Sequence, residues 1–181
     1  LIKEDFEKKL KLIPPNIKAL YLGRDFALEN LDCDLNVGLK KIRTTKKKIL
    51  IQGNEAAGLG CVYGGATVVG WYPITPSTSL VEAFQKYVNL FRVKDNGEVS
   101  AGIIQAEDEL AAVGMAIGAN WNGARAFTAT SGPGISLMSE FLGLAYFAEI
   151  PLVLFNIQRG GPSTGMPTRT QQSDILSCAY A

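Results

Sequence analysis

Histidine is absent from all 181 residues. That omission removes Ser-His-Asp and Cys-His nucleophilic catalysis, and with them the commonest metal ligand. Cysteine is scarce. Cys33, Cys61 and Cys178 lie far apart with no Cys-x-x-Cys pair, which argues against a zinc or iron–sulfur cluster built by these cysteines alone and suits a reducing cytoplasm. No apolar run reaches the roughly 18 to 20 residues of a membrane span, and Leu1-Ile2-Lys3-Glu4 has none of the features of a signal peptide. Net charge is only +1, with 47% hydrophobic residues, so neither a nucleic acid nor a membrane is indicated as partner. Acid–base work must come from Glu, Asp, Lys, Tyr or a bound cofactor. A chain opening on Leu1 and stopping at Ala179-Tyr180-Ala181, just as a further helix begins, reads as an excerpt of something longer.

The charge that is present is unevenly spread. Residues 1–48 hold 12 Lys and Arg against 7 Asp and Glu, whereas residues 49–181 hold 6 against 10. Lys46-Lys47-Lys48 marks the border. Lacking aromatic interleaving or a basic helical stripe, it reads as a solvated linker rather than a nucleic-acid arm. Before it, the spacing predicts helices over 3–11 and 16–30, broken at Pro14-Pro15, with Ile17, Leu20, Ala27 and Leu28 on an apolar side. Residues 31–48 read as linker.

From Ile49 the pattern becomes a regular α/β alternation. Strands are predicted at 49–51, 67–72, 99–105, 125–130 and 152–157. Helices are predicted from Glu55 to about Ala66, over 77–91 with Leu80, Phe84, Val88 and Phe91 in register, over 107–122, and over 135–148. Strands without polar alternation, joined by helices, predict an α/β fold: a parallel sheet with helices on both faces. Gly58, Gly60, Gly64 and Gly65 each cost the first helix up to about 1 kcal/mol of propensity, which implies close packing against a neighbour.

Ligands of such sheets lie among the loops beyond the strands' carboxyl ends, and here four of those loops are distinctive. Pro73 and Pro76 fix the backbone around Ile74-Thr75, either as a rigid turn capped by Ser77 or Thr78 or as a display of the Thr75 hydroxyl. Glu107-Asp108-Glu109 opens a helix of small and apolar residues that reads as buried, with Leu110, Val113, Ile117 and Trp121 on its wider apolar face. Acids there serve the helix dipole, for roughly a few tenths to one kcal/mol each. One held at the sheet edge is also a candidate proton carrier. Ser131-Gly132-Pro133-Gly134 resembles a phosphate cradle but lacks the Lys of a P-loop and the full Gly-x-Gly-x-x-Gly, so a tight turn permitting close approach fits it better. Residues 158–169, rich in Gly, Pro, Ser and Thr with Arg159 and Arg169 near the ends, read as a binding loop. Arg159 carries the planar fork that suits a carboxylate or phosphate, or an ordinary ion pair. Residue chemistry alone gives a crevice with one carboxylate, one hydroxyl and one arginine for a small acid substrate.

Tyr-Pro-Ile-Thr-Pro-Ser at 72–77, Glu-Asp-Glu at 107–109, Thr-Ala-Thr-Ser-Gly-Pro-Gly at 128–134 and Gln-Arg-Gly-Gly-Pro-Ser-Thr-Gly at 158–165 together resemble the alpha subunit of 2-oxoacid:ferredoxin oxidoreductases. The four motifs stand in order across about residues 49–181. Residues 1–48 resemble the tail of the gamma domain that many relatives fuse ahead of alpha. The resemblance implies a thiamine diphosphate enzyme, with 49–181 as its pyrimidine-binding domain. Such an enzyme oxidatively decarboxylates a 2-oxoacid, here 2-oxoglutarate in preference to pyruvate, to an acyl-coenzyme A and passes the electrons to ferredoxin.

By motif position, Glu109 is the glutamate held against N1′ of the cofactor's aminopyrimidine ring, with Glu107 the fallback because the triplet leaves the choice open. Thr75 matches the family's substrate-contacting threonine and Arg159 the arginine that pairs with the substrate carboxylate. Pro73 and Ile74 are expected to line the cofactor pocket. No Gly-Asp-Gly…Asn motif is present, so Mg²⁺ and the diphosphate are expected on a partner beta subunit, and the iron–sulfur clusters on partner subunits as well, in a hetero-oligomer. The alternatives are an indolepyruvate-type relative using the same cofactor and a non-catalytic scaffold for assembly, which loss of the acid would mark. A free-standing dinucleotide-binding domain would need a Gly-x-Gly-x-x-Gly that Gly53-Asn54-Glu55-Ala56-Ala57-Gly58 does not supply.

Overall fold

The computed structural model describes residues 1–32, 37–40, 48–162, 164 and 174–180. The expectations that concern Cys33, positions 41–47 of the basic linker, and loop positions 163 and 165–169, Arg169 among them, lie outside the described residues. The chain divides into two units, Leu1–Lys48 and Ile49–Ala181.

In the first unit, helix α1 (Ile2–Asp5) and a 3₁₀ turn (Leu10–Leu12) lead into helix α2 (Ile13–Asn30). Pro14 and Pro15 occupy the first turn of α2. The expectation of a break at these prolines is therefore corrected. In a first turn the missing N–H has no intrahelical partner to lose, so proline starts a helix as readily as it stops one. None of the described residues of α1 or α2 is fully buried: Ile17 and Ala27 are half-buried, while Leu20 and Leu28 are exposed.

The second unit runs α3 (Gly53–Tyr63), β1 (Val68–Trp71), α4 (Thr78–Phe91), β2 (Gly102–Gln105), α5 (Glu109–Trp121), β3 (Ala126–Thr130), α6 (Gly132–Phe147), β4 (Val153–Asn156) and α7 (Ile175–Tyr180). The four strands pair in the order β2-β1-β3-β4, all parallel. A fifth strand at 49–51 does not form. Ile49 and Leu50 are exposed, and with α3 starting at Gly53 this short apolar run has no face to bury, without which strand propensity counts for little.

Alternation along β3 sorts the core into two layers. Phe127 and Ala129 join Val69, Leu80, Phe84 and Val88 on the side of α3 and α4, where Phe127 meets Phe84 edge-on at 5.0 Å. On the other side α5 and α6 enclose Ala112, Val113, Ile117 and Met138. Helices thus cover both faces.

Two glycines set how close the layers come. A Cβ at Gly70 would lie 2.7 Å from the Ala112 carbonyl, and one at Gly58 would lie 2.7 Å from the Leu80 carbonyl. The close packing read from the α3 glycines therefore holds at Gly58, whereas Gly60 faces open space. Because α5 lies so near β1, its buried residues are Glu109, Ala112, Val113, Ala116 and Ile117. Leu110 and Trp121, assigned to the buried face by their hydrophobicity, are exposed. Bulk was the wrong guide where backbones approach this closely.

Candidate functional site

Strand order reverses at β1, because β2 pairs on one side of it and β3 on the other. Open α/β sheets place their ligand crevice at such a point, beyond the carboxyl ends. β1 and β2 stay in register over four positions. The β1–β3 ladder covers only Val68↔Ala126 and Val69↔Phe127, so these two strands part toward the crevice.

Burial separates the three acids of the triplet. Asp108 is the N-cap of α5, its side chain accepting a 2.7 Å hydrogen bond from the Ala111 N–H, and Glu107 is exposed. Glu109 is only 8% exposed and leans on the next turn, where a Cβ at Gly134 would sit 3.0 Å from Glu109 Cγ and collide with the Thr130 hydroxyl.

The same turn receives Arg159. Ser131 stands extended at the N-cap of α6, followed by Gly132-Pro133-Gly134 in the first turn, and a Cβ at Gly132 would collide with the Arg159 carbonyl. The close approach expected for this turn is thus made by the chain's own strand end. Arg159 is 6% exposed and donates from Nη1 to the Thr75 carbonyl at 2.9 Å, joining positions 84 residues apart. No carboxylate among the described residues forms an ion pair with it.

The Thr75 side chain is exposed and Pro73 lies at the surface, while Ile74 is buried. Ser77 fixes this turn by donating from Oγ to the Ile74 carbonyl at 2.9 Å rather than capping α4 with its side chain. Arg159 and Glu109 therefore both abut the start of α6, and the Thr75 carbonyl is tied to it through the Arg159 guanidinium.

Buried polar atoms without partners among the described residues gather here: Thr130 Oγ1, Ser131 Oγ and Arg159 Nε, with Thr128 Oγ1 below them and Asn156 Oδ1 beside them. Orphaned groups of this kind call for a partner from outside the chain. A hollow of about 510 Å³ adjoins, lined by Gly132, Pro133, Leu137, Gly161, Asp174 and Ser177. Asp174 is buried and absent from the sequence reading. Its only signal was being the one acid downstream of Glu149.

At the opposite edge a hollow of about 340 Å³ lies among Cys61, Asn120, Arg125 and Pro151. Burial pushes the Cys61 thiol up to about 11. Since the thiolate is the reactive form, iodoacetamide at pH 8 should alkylate Cys61 roughly a hundredfold more slowly than an unperturbed thiol, and the rate should climb about tenfold per pH unit until pH 11. Site-resolved mass spectrometry at pH 8, 9, 10 and 11 measures it. A rate that levels off near pH 9 would contradict the burial.

Fold and site define a class: a parallel α/β domain that presents a buried acid and a buried arginine at its topological switch point. The chain belongs to the pyruvate flavodoxin/ferredoxin oxidoreductase family, matching its thiamine diphosphate-binding domain over residues 59–180. It is 45% identical over 130 residues to 2-oxoglutarate synthase subunit KorA of Methanocaldococcus jannaschii, covering 72% of this chain and 33% of that protein. It is 37% identical over 186 residues to 2-oxoglutarate oxidoreductase subunit KorA of Mycobacterium tuberculosis, covering 99% of this chain and 27% of that one. The solved 2-oxoglutarate:ferredoxin oxidoreductase from Magnetococcus marinus, with 2-oxoglutarate, coenzyme A and succinyl-CoA bound, superposes with a TM-score of 0.73 at 35% identity, over 97% of this chain and 29% of that one. The chain thus spans about a quarter to a third of these relatives. Among its described residues no helix is long and apolar enough to cross a membrane.

Proposed function

We propose that this chain supplies the pyrimidine half of the active site of a thiamine diphosphate-dependent 2-oxoacid:ferredoxin oxidoreductase, whose preferred substrate is 2-oxoglutarate. The observation that carries the reading is the buried Glu109 at the head of α5, facing a turn of orphaned hydroxyls. These residues fit the cofactor's aminopyrimidine: a carboxylate set at the sheet edge to hold a proton opposite a ring nitrogen, with buried hydroxyls nearby that lack partners. When bound, thiamine diphosphate supplies the electron sink that decarboxylation of a 2-oxoacid requires.

In this reading Glu109 holds the proton at N1′ and Glu107 stays in solvent. Arg159 presents the face of its guanidinium not engaged by the Thr75 carbonyl to the substrate carboxylate, where a planar fork adds direction to charge. The Thr75 hydroxyl contacts the substrate, and Pro73 and Ile74 stiffen the loop along the cofactor. The preference for 2-oxoglutarate is supported by the names of the relatives cited above. Diphosphate, Mg²⁺ and the iron–sulfur clusters are assigned to partner subunits, with ferredoxin as electron acceptor, as the family resemblance implies; these 181 residues carry no Gly-Asp-Gly…Asn motif or paired cysteines. Residues 1–48 are assigned to the end of a gamma domain on the family resemblance; the alignment with the mycobacterial relative extends over 99% of the chain and so takes in nearly all of this segment.

The test is coenzyme-A-dependent reduction of a viologen dye by the assembled complex across a panel of 2-oxoacids. The highest kcat/KM is expected with 2-oxoglutarate. A complex loaded with thiamine diphosphate and Mg²⁺ that turns over no 2-oxoacid would refute the assignment.

A further inference from the structure

Side chains at the end of β4 divide between the two faces of the sheet. Thr130 pairs with Asn156 in the register of β3 and β4, and the ladder runs on past the strand as the Ile157 N–H donates to the Thr130 carbonyl at 2.8 Å. Alternation then puts Phe155 and Ile157 with the α3–α4 layer, where both pack. It puts Asn156 and Gln158 on the α6 side, and Arg159 back toward the loop that leads into α4. The Arg159 bond to the Thr75 carbonyl fits this placement. The guanidinium can be aimed only as well as the α6-facing residues before it, Asn156 and Gln158, are held.

Asp174 holds them. It is 8% exposed. Asn156 donates from Nδ2 to Asp174 Oδ2 at 2.6 Å, and Gln158 donates from Nε2 to Asp174 Oδ1 at 3.3 Å. Both carboxylate oxygens thus accept from amides at alternate positions on one face. The same carboxylate faces Gly132, whose missing Cβ would lie 3.4 Å from Asp174 Oδ2 and would collide with the Arg159 carbonyl. Asp174 itself is fixed from below: the Ser177 hydroxyl donates to its carbonyl at 2.9 Å, as does the Cys178 N–H. No cation among the described residues pairs with it. A buried carboxylate that accepts from two neutral amides, and from no cation among the described residues, fixes the geometry of those amides.

We propose that Asp174 is a positioning residue for Arg159, clamping Asn156 and Gln158 from the α6 side so that the guanidinium emerges on the opposite side toward the substrate carboxylate. The inference rests on the reading above, in which Arg159 meets that carboxylate.

The test uses the assembled complex in the viologen assay, with Asp174→Ala, Asp174→Asn, Gln158→Met and Arg159→Met, and the double variant Asp174→Ala/Arg159→Met. Asp174→Ala is expected to raise KM for the 2-oxoacid about tenfold while kcat moves less than about threefold and thiamine diphosphate affinity holds, since misplacing a binding group acts on substrate binding first. Asp174→Asn should recover most of this, because the Asn156 amide can turn its unpartnered Oδ1 toward the new N–H. In the Arg159→Met background, Asp174→Ala should move KM by less than about twofold, the non-additivity expected of residues acting through one another. Gln158→Met, which leaves the acid in place, should move KM in the same direction by a smaller factor; it keeps the test open if Asp174→Ala does not assemble. Equal, additive losses in both backgrounds would overturn the proposal, as would an unchanged KM. If Arg159→Met alone leaves the 2-oxoacid KM where it was in an active enzyme, the substrate role of Arg159 fails first, and the proposal with it.

Discussion

Glu109→Gln is expected to lower kcat by about 10²–10⁴, the range typical of a positioned acid–base group, with the 2-oxoacid KM little changed. The substitution is nearly isosteric, so packing against the Gly134 turn is kept and the loss reports the proton. Glu107→Gln provides the internal comparison. That carboxylate is exposed and has no hydrogen bond among the described residues, and surface changes of this kind usually fall within about 0.5 kcal/mol. Parallel kcat measurements on the two variants decide between the carboxylates. A crippled Glu107→Gln beside a healthy Glu109→Gln would reverse the assignment.

Gly134→Ala is expected to cost activity about a hundredfold or more, a large effect for one methyl group. The new Cβ would collide with the Thr130 hydroxyl and press on Glu109 Cγ from 3.0 Å. Both neighbours are buried, so either the carboxylate moves or the start of α6 lifts away. Misplacing a catalytic group by about 1 Å can cost some 10²-fold, and overpacking adds roughly 1–3 kcal/mol of instability. Gly143→Ala, on the same helix but with nothing within 4 Å of its added Cβ, should be neutral in activity and stabilising by up to about 1 kcal/mol, since alanine is the better helix former. Activity and thermal unfolding of the two variants together separate a crowded site from a general effect on α6. Full activity in Gly134→Ala would mean that Glu109 does not need its present place.

Much of this architecture is legible in the chain because a few strong signals agree. Leu80, Phe84 and Val88 recur at helical spacing and are buried, although Phe91, next in the series, is exposed at the end of α4. The run Ala126–Thr130 carries no charge and is buried at every position. What escapes sequence reading is set by distance between backbones. Leu110 and Trp121 look like core, but at the separation Gly70 allows it is Ala112, Val113, Ala116 and Ile117 that take the buried face of α5. Pro14-Pro15 looks like a break because proline's cost depends on where a helix begins, which local composition does not reveal. At the site, the four loops are marked by their unusual residues. Which acid of three turns inward depends on Asp108 taking the cap, and the role of Asp174 depends on a partner 18 residues away.

The parting of β1 from β3 has a consequence for how the protein is made. The middle of the sheet joins segments 58 residues apart, as the contact of Arg125 with Thr67 beside it shows, so nothing pairs on that side of β1 until β3 has left the ribosome. Non-local parallel pairing is slow, and apolar strands awaiting a neighbour are prone to aggregate. Val68 and Val69 must wait in that condition through the synthesis of α4, β2 and α5. The grip of Asn156 and Gln158 on Asp174 comes later still. Faster translation through α4, β2 and α5 should shorten the delay and chaperone supply should shield it, and either is expected to raise the yield of folded protein.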